Sequence, residues 1–291
     1  MSKISFKAYF SALLKLGKFT ISIPVALTGF LGYFLYTPVL DMDAAYTIFG
    51  IFLLSMGSSA LNQIQERHTD ALMKRTAGRP IPSGSVSLQR AILFSILCAM
   101  GGTALLMLTG FSLAAGIGIF TLLWYNLVYT PLKRVTAFAV LPGALIGALP
   151  PLIGWTAAGG DPLDMQIITV GFLLFVGQMP HYWLLLLKIG NEFHEAGMPV
   201  ITSLFDPLQI RNLSFIWIAA TGTIVMMLPV TPIIQNRVIS MVLIVAAILF
   251  LYRMFRLTYR GELMNHWKQA FITVNLFYLV IILVLIADRI I

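Results

Sequence analysis

The sequence predicts an all-α, polytopic membrane protein, a bundle of nine transmembrane helices with a cytoplasmic N-terminus. Hydrophobic residues make up 59% of the 291 residues and charged residues only 10%, whereas about a quarter of a soluble domain is charged. The apolar runs are long enough to cross a hydrocarbon core of about 30 Å, and they are continuous rather than alternating, which excludes a barrel. The basic residues also gather on one side of the predicted bundle.

Nine apolar spans follow one another along the chain, at residues 19–37, 46–62, 91–109, 111–130, 137–156, 166–188, 212–231, 237–253 and 270–288. With the N-terminus inside, only Arg237 and Arg289 of the 19 basic residues fall outside. We therefore attribute the net charge of +8 to the orientation of the protein in the membrane and to its contact with membrane lipid, and we expect no nucleic-acid partner. We interpret residues 1–291 as one membrane domain, and a leader unlike a transit peptide favours a bacterial plasma membrane.

The leader, residues 1–18, is amphipathic. Basic and polar side chains recur every three or four residues on one side of it and apolar side chains on the other, which predicts an interfacial helix on the cytoplasmic surface. An ordinary basic anchor before the first span explains the same residues. The pattern consists of Lys3, Lys7, Ser11, Lys15 and Lys18 opposite Phe6, Phe10 and Leu13.

The stretch Ser58–Gly84 carries Asn62, Glu66, Asp70 and Lys74 at intervals of four residues. If the second helix continues through them, they share one slowly rotating face, because four residues overshoot a turn by about 40°. Two carboxylates one turn apart can hold Mg²⁺ through one oxygen each and leave positions for water and phosphate. A solvated loop with helix-spaced ion pairs is the alternative.

Bases that suit phosphate oxygens lie beyond this column and at the end of the fourth span. Lys74, Arg75 and Arg79 follow the column, before "RPIPSG" turns the chain back. Lys133 and Arg134 follow the fourth span on the same membrane face. Positive-inside anchoring is the alternative explanation for this last pair.

The sixth span contains polar residues of its own. Gln178 and His181 lie within it, and polar groups in a membrane are costly unless paired. An interhelical hydrogen bond and a direct role toward a substrate both remain open for His181. The end of the span carries a second acidic motif, made of Asn191, Glu192 and Glu195.

Three segments together resemble the UbiA prenyltransferase superfamily, and within it the protoheme IX farnesyltransferase (haem O synthase) branch. They are "NQIQERHTDALMKRTAGRPIPSGSVS", "YTPLKRVTAFAVLPGALIGALPPLIGW" and "GQMPHYWLLLLKIGNEFHEAGMPV", in the order found in that branch and covering most of residues 10–200. The superfamily usually has Asp where this chain has Glu66. At the second motif the family commonly has Asp and Tyr where this chain has Glu192 and Phe193, which puts a second metal site in doubt.

The resemblance implies a UbiA-type bundle around a central cavity, closed by cytoplasmic loops at about 62–90 and 188–211. It implies Mg²⁺ as cofactor, farnesyl diphosphate and haem B as substrates, and a haem A synthase or an oxidase assembly factor as a further partner. His181 is the candidate on the haem side. The implied catalytic and metal-binding residues are Asn62, Glu66 and Asp70, with Glu192 as a further metal ligand, and the diphosphate-binding residues are Lys74, Arg75, Arg79, Lys133 and Arg134.

Three functions from different classes are compatible with these features. The first is transfer of a farnesyl group to haem, the second is a UbiA-type reaction on a quinone precursor or other aromatic acceptor, and the third is a carrier or channel. Transport favours ionisable residues near the bilayer midplane, whereas the acids of this chain gather at one face. We therefore expect an enzyme whose active site faces the cytoplasm.

Overall fold

A computed structural model describes residues 6–260 and 263–291, and all regular secondary structure in these ranges is helical. Nine helices within them are long and apolar enough to cross a membrane, as the sequence predicts. The α-helices are α1 Phe6–Leu16, α2 Phe19–Tyr36, α3 Met42–Leu72, α4 Leu88–Leu108, α5 Ser112–Leu123, α6 Thr130–Leu132, α7 Val140–Ala157, α8 Met165–Glu195, α9 Pro207–Met227, α10 Arg237–Phe255 and α11 Leu263–Ala287. π-Helical turns occupy Trp124–Tyr129 and Arg256–Arg260.

Helices α3 and α8 are longer than the bilayer requires. Each has 31 residues, or about 46 Å at 1.5 Å per residue, against a hydrocarbon core of about 30 Å. The second span therefore ends at Leu72 rather than at residue 62, whereas the predicted sixth span, 166–188, agrees with the apolar segment Met165–Leu187. Residues 62–72 and 188–195 of the two predicted loops are helical. The connections that remain are residues 73–87 and 196–206.

The physical reason is that the polar residues of both segments are compatible with a helix. Between residue 62 and the end of α3 at Leu72 there is no glycine or proline, so the polar residues do not interrupt the helix. At the end of α8, Gly197 adopts a left-handed conformation with φ of 72°, which terminates the helix. Both extensions project toward the same cavity.

The leader forms helix α1 over residues 6–16, and residues 1–5 of the predicted interfacial segment lie outside the described residues. α1 is separated from α2 by Gly17 and Lys18, and Lys18 has a left-handed backbone with φ of 49°. The side-chain amide nitrogen of Gln63 on α3 donates to the carbonyl oxygens of Lys15 and Leu16, at 3.0 and 2.9 Å. These bonds supply a partner for the Leu16 carbonyl at the end of α1 and a second one for the Lys15 carbonyl, which also accepts from the backbone N–H of Lys18, and they hold Lys18 beside α3. The location of α1 at a membrane interface stays a prediction.

Helices α2 and α7 touch through their backbones. A Cβ atom on Gly154 would lie 1.8 Å from the carbonyl oxygen of Gly29, and one on Gly32 would lie 1.9 Å from that of Pro151. Small residues permit this close approach. Close packing matters in lipid because no hydrophobic force drives helices together there. Neither α2 nor α7 can accept a larger residue at these contacts without moving.

The C-terminal helices share an apolar core with α2, α7 and α8, and this core includes Phe250 and Phe277, whose rings stack with centroids 3.9 Å apart. At one end of this part, the buried carboxylate of Asp288 accepts hydrogen bonds from the backbone N–H groups of Gln235 and Asn236, both at 3.0 Å. These bonds join the end of α11 to the segment that precedes α10.

Candidate active site

The C-terminal half of α3 places Asn62, Glu66 and Asp70 along one wall of a cavity of about 170 Å³. Their side chains share one face, as the four-residue spacing predicts. All three are buried, with 1%, 6% and 1% of their surfaces exposed. Buried carboxylates require compensation by cations or hydrogen bonds.

The two carboxylates form ion pairs with bases from other parts of the chain. One guanidinium nitrogen of Arg79, Nη1, donates to both carboxylate oxygens of Asp70, at 2.8 and 2.7 Å. The amine of Lys133 lies 2.5 Å from Glu66 Oε1 and also lies over the ring of Tyr129, 5.4 Å from its centroid. Arg79 and Lys133, two of the residues predicted to bind diphosphate, thus reach the cavity.

Asn62 has a fixed side-chain orientation. Its amide nitrogen donates to Thr130 Oγ1 at 3.1 Å, while the Thr130 hydroxyl donates to the carbonyl oxygen of Tyr125 at 2.9 Å. The Asn62 oxygen Oδ1 is therefore directed toward Lys18, whose amine donates to it at 3.0 Å. Thr130 acts as a positioning residue for this amide.

Lys18 is a site residue that the sequence interpretation assigned only to membrane anchoring. Its side chain lines the cavity beside the charged residues of α3. Burial, followed by the positive charges of Arg79 and Lys133, lowers the pKa of the Lys18 amine from 10.5 to about 7. The only sequence signal was a lysine at the edge of an apolar span, a position that anchoring residues also occupy.

The π-helical turn Trp124–Tyr129 lies against α3. The Asn126 side chain donates to Ser58 Oγ at 2.8 Å, and the backbone carbonyl of Asn126 accepts from the Gln65 side chain at 3.0 Å. π-Helical turns inside α-helices are frequent at functional sites. The turn sets the positions of Thr130 and Tyr125 relative to the column.

A second wall of the cavity is aromatic and apolar. Aromatic faces can stabilise positive charge on a ligand, and the sequence left open which of its many aromatic residues would do so. Because tyrosines are common at membrane interfaces, sequence alone did not single these out. The wall consists of Tyr125, Tyr129, Tyr182, Leu185, Phe193 and Met198.

The remaining predicted diphosphate-binding residues differ in position. Arg75 lines the cavity, although much of its side chain is exposed. Lys74 is exposed and is not part of the lining. Arg134 is also exposed, and its guanidinium donates to the carbonyl oxygen of Gln65 at 2.7 Å. Diphosphate binding by Lys74 and Arg134 stays a prediction, and it would require a ligand that extends beyond this cavity.

The second acidic motif lies at the end of α8. A carboxylate oxygen of Glu192 accepts from the backbone N–H of Arg75 at 3.3 Å, which joins α8 to the connection after α3. Glu195 is exposed. The side chain of Asn191 lies outside the described residues. Metal binding by Glu192 stays a prediction.

His181 makes an interhelical hydrogen bond. Its ring nitrogen Nδ1 lies 2.9 Å from Asn275 Oδ1 on α11. The Asn275 amide nitrogen donates to the carbonyl oxygen of Phe271 at 2.7 Å, which fixes Oδ1 as the acceptor and Nδ1–H as the donor. Nε2 is then the nitrogen that keeps a lone pair. The interhelical alternative is observed, and a role toward haem remains a hypothesis.

The oxygen column fits a magnesium ion by the chemistry of its donors. In the described part of the chain, no three His, Cys, Asp or Glu side chains form a complete metal cluster. Mg²⁺ typically uses one or two carboxylates together with substrate phosphates and water. The oxygens of Asn62, Glu66 and Asp70 supply such a set, next to bases suited to phosphate.

Comparison with known proteins gives concordant results. Residues 22–281 match the UbiA prenyltransferase family. A protoheme IX farnesyltransferase from Geobacter sulfurreducens is 41% identical over 65% of this chain and 69% of its own, and one from Oleidesulfovibrio alaskensis is 33% identical over 94% and 95%. The structure of a UbiA homologue from Archaeoglobus fulgidus bound to GPP and Mg²⁺ covers 96% of this chain and 100% of its own, with a TM-score of 0.68 and 17% identity. This last similarity concerns the fold.

Proposed function

Since the chain belongs to the UbiA prenyltransferase family, we propose that it transfers the farnesyl group of farnesyl diphosphate to a vinyl group of protoheme IX. The observation that carries the proposal is 33% identity over 94% of the chain to a protein named protoheme IX farnesyltransferase. The buried oxygen column with its bases supports the same reaction, because it has the chemistry that a magnesium diphosphate requires.

Diphosphate binding is assigned to the bases that reach the cavity. Arg75 and Arg79 offer guanidinium donors, and Lys18 and Lys133 offer compact ammonium charges. Asn62, Glu66 and Asp70 would hold Mg²⁺, which supplies positive charge to the leaving diphosphate when bound. The Archaeoglobus fulgidus homologue, described as bound to GPP and Mg²⁺, supports this assignment.

The chemical step begins with cleavage of the bond between farnesyl C1 and the diphosphate oxygen. The electron pair leaves with the diphosphate, where the bases stabilise the developing negative charge. Tyr125, Tyr129 and Tyr182 present aromatic rings to the same cavity and are assigned to the allylic cation. Apolar neighbours such as Leu185 and Phe193 restrict water, which would otherwise produce farnesol.

Carbon–carbon bond formation then uses the π electrons of the haem vinyl group. They form a bond to farnesyl C1, and the positive charge moves to the carbon next to the porphyrin. Water adds to that carbon and loses a proton, which gives a hydroxyethylfarnesyl group. No side chain has to abstract a proton from carbon.

His181 is our candidate for the haem side of the site. The hydrogen bond to Asn275 leaves Nε2 with a lone pair, and a neutral imidazole with that lone pair can approach the iron. His181 is not among the residues that line the cavity, since its ring lies against Phe271 and Asn275 of α11, but the next residue, Tyr182, does line it. Haem contact by His181 would connect the acceptor to the wall that faces the allylic cation.

We assign the protein to the bacterial plasma membrane with the active site on the cytoplasmic face. The multi-pass character follows from the nine apolar helices of the described residues. The orientation rests on the positive-inside rule, which all but Arg237 and Arg289 obey. Labelling of single cysteines introduced at either end of α2 with a membrane-impermeant reagent tests the orientation.

Detergent-purified protein with haem B, farnesyl diphosphate and Mg²⁺ tests the function. Mass spectrometry should detect haem that has gained a farnesyl group and one water. A product with 4-hydroxybenzoate and none with haem would contradict the proposal and favour the quinone-type reaction. Omission of farnesyl diphosphate is the control.

A further inference from the structure

The cavity lining has an excess of positive charge. Its described cations are Lys18, Arg75, Arg79 and Lys133, and its described anions are Glu66 and Asp70. Four cations against two carboxylates leave a surplus of two positive charges, and one remains when the Glu192 carboxylate, which accepts from the backbone N–H of Arg75, is counted. A free divalent cation therefore meets a site that repels it, although the oxygens suit it.

Each side chain of the oxygen column is also already occupied by a base. Lys18 donates to Asn62, Lys133 pairs with Glu66, and Arg79 pairs with Asp70. These contacts use the Asn62 oxygen, both Asp70 oxygens and one of the two Glu66 oxygens, which a metal ion would need. A metal ion arriving alone would have to displace three bases without giving them another anion.

The oxygens of the column lie on a continuous helix, whereas the bases lie at helix ends or in connections. The oxygens belong to α3, a continuous helix of 31 residues. Lys18 lies between α1 and α2, Arg79 in the connection 73–87, and Lys133 directly after α6. Long side chains on connections can change partners without disturbing a helix, whereas the column keeps its spacing.

We propose that these three bases are exchangeable counter-ions of the oxygen column. In the free protein they neutralise it, and when a magnesium diphosphate arrives they transfer to the diphosphate and release the oxygens to the metal. Metal and diphosphate then bind cooperatively, and metal alone binds weakly. Lys18 gains a specific role as the base that covers the Asn62 oxygen. The inference rests on the proposed function, because it requires a diphosphate substrate.

The test is a metal-binding measurement that does not depend on turnover. Binding of Mn²⁺ to the full-length protein in detergent is followed by electron paramagnetic resonance, with and without farnesyl diphosphate and without haem. We expect wild type to bind Mn²⁺ much more tightly when farnesyl diphosphate is present. Lys18→Met should bind Mn²⁺ alone on the order of tenfold more tightly than wild type, with a smaller gain from the diphosphate.

Two further variants separate charge from packing. Lys18→Arg keeps the positive charge and should bind Mn²⁺ alone as weakly as wild type. Lys15→Met removes the same charge from an exposed position three residues away and should also behave as wild type. Where Lys18→Met does not fold, Lys133→Met takes its place with the same expectation.

The outcomes distinguish this inference from the function on which it rests. Equal Mn²⁺ affinity with and without farnesyl diphosphate in wild type overturns the exchange, as does unchanged Mn²⁺ affinity in folded Lys18→Met. In both cases normal haem farnesylation leaves the function intact. If farnesyl diphosphate fails to bind under any metal condition, the proposed function fails and the exchange fails with it.

Discussion

Replacement of Thr130 by valine should impair the site without changing any charged residue. Thr130 and Asn62 are both 1% exposed, and the valine would remove the acceptor of the Asn62 amide nitrogen while keeping the volume nearly constant. A buried donor without a partner costs about 1–3 kcal/mol. It also permits the amide to rotate, which would turn its nitrogen toward Lys18 and the metal position.

The expected loss in kcat/KM is about 10- to 100-fold, the range typical of residues that orient a metal ligand. Haem farnesylation measured over a range of Mg²⁺ concentrations should show a higher Mg²⁺ requirement for Thr130→Val. Thr130→Ser retains the hydroxyl and should recover most of the activity. The reasoning is refuted if Thr130→Val has wild-type kinetics, or if Thr130→Ser is equally impaired.

Three other substitutions have defined expectations. Asp70→Asn should lower kcat on the order of 100-fold, with an unchanged circular dichroism spectrum; substantial Mg²⁺-dependent turnover would remove Asp70 from the metal site. His181→Ala should weaken haem binding in an absorbance titration, and Asn275→Leu should weaken it less; unchanged haem affinity and turnover in His181→Ala would exclude the haem role. Asp288→Ala should destabilise the protein by about 1–3 kcal/mol, because two backbone N–H groups lose their acceptor; thermal denaturation should detect this while kcat stays at the wild-type value.

The sequence predicted the spans and the oxygen column because both depend on local geometry. Hydrocarbon thickness sets the length of an apolar run, and the helical period places Glu66 and Asp70 on one face. The nine spans of the described residues are confirmed. The end of the second apolar span was placed too early, and α3 continues through the polar column, the case in which the four-residue spacing gives one face.

The contacts that complete the site were not predictable from the sequence because they join distant residues. Lys18 precedes Asn62 by 44 positions, and His181 precedes Asn275 by 94. Such pairs depend on how helices cross, which no local period encodes. Lys18 also has the residue type and position of a membrane anchor, so only its packing against α3 shows that it lines the cavity.

The backbone contact between α2 and α7 has a consequence for protein engineering. Gly32 lies 14 residues after Lys18, about 21 Å along the helix, yet it fixes how α2 sits in the bundle. An added methyl group there must displace α2, and the displacement reaches the amine that covers Asn62. A library restricted to residues around the cavity would therefore miss positions that adjust its geometry. Variation at the glycine contact, combined with compensating changes on α7, offers a way to alter ligand fit without touching a charged group.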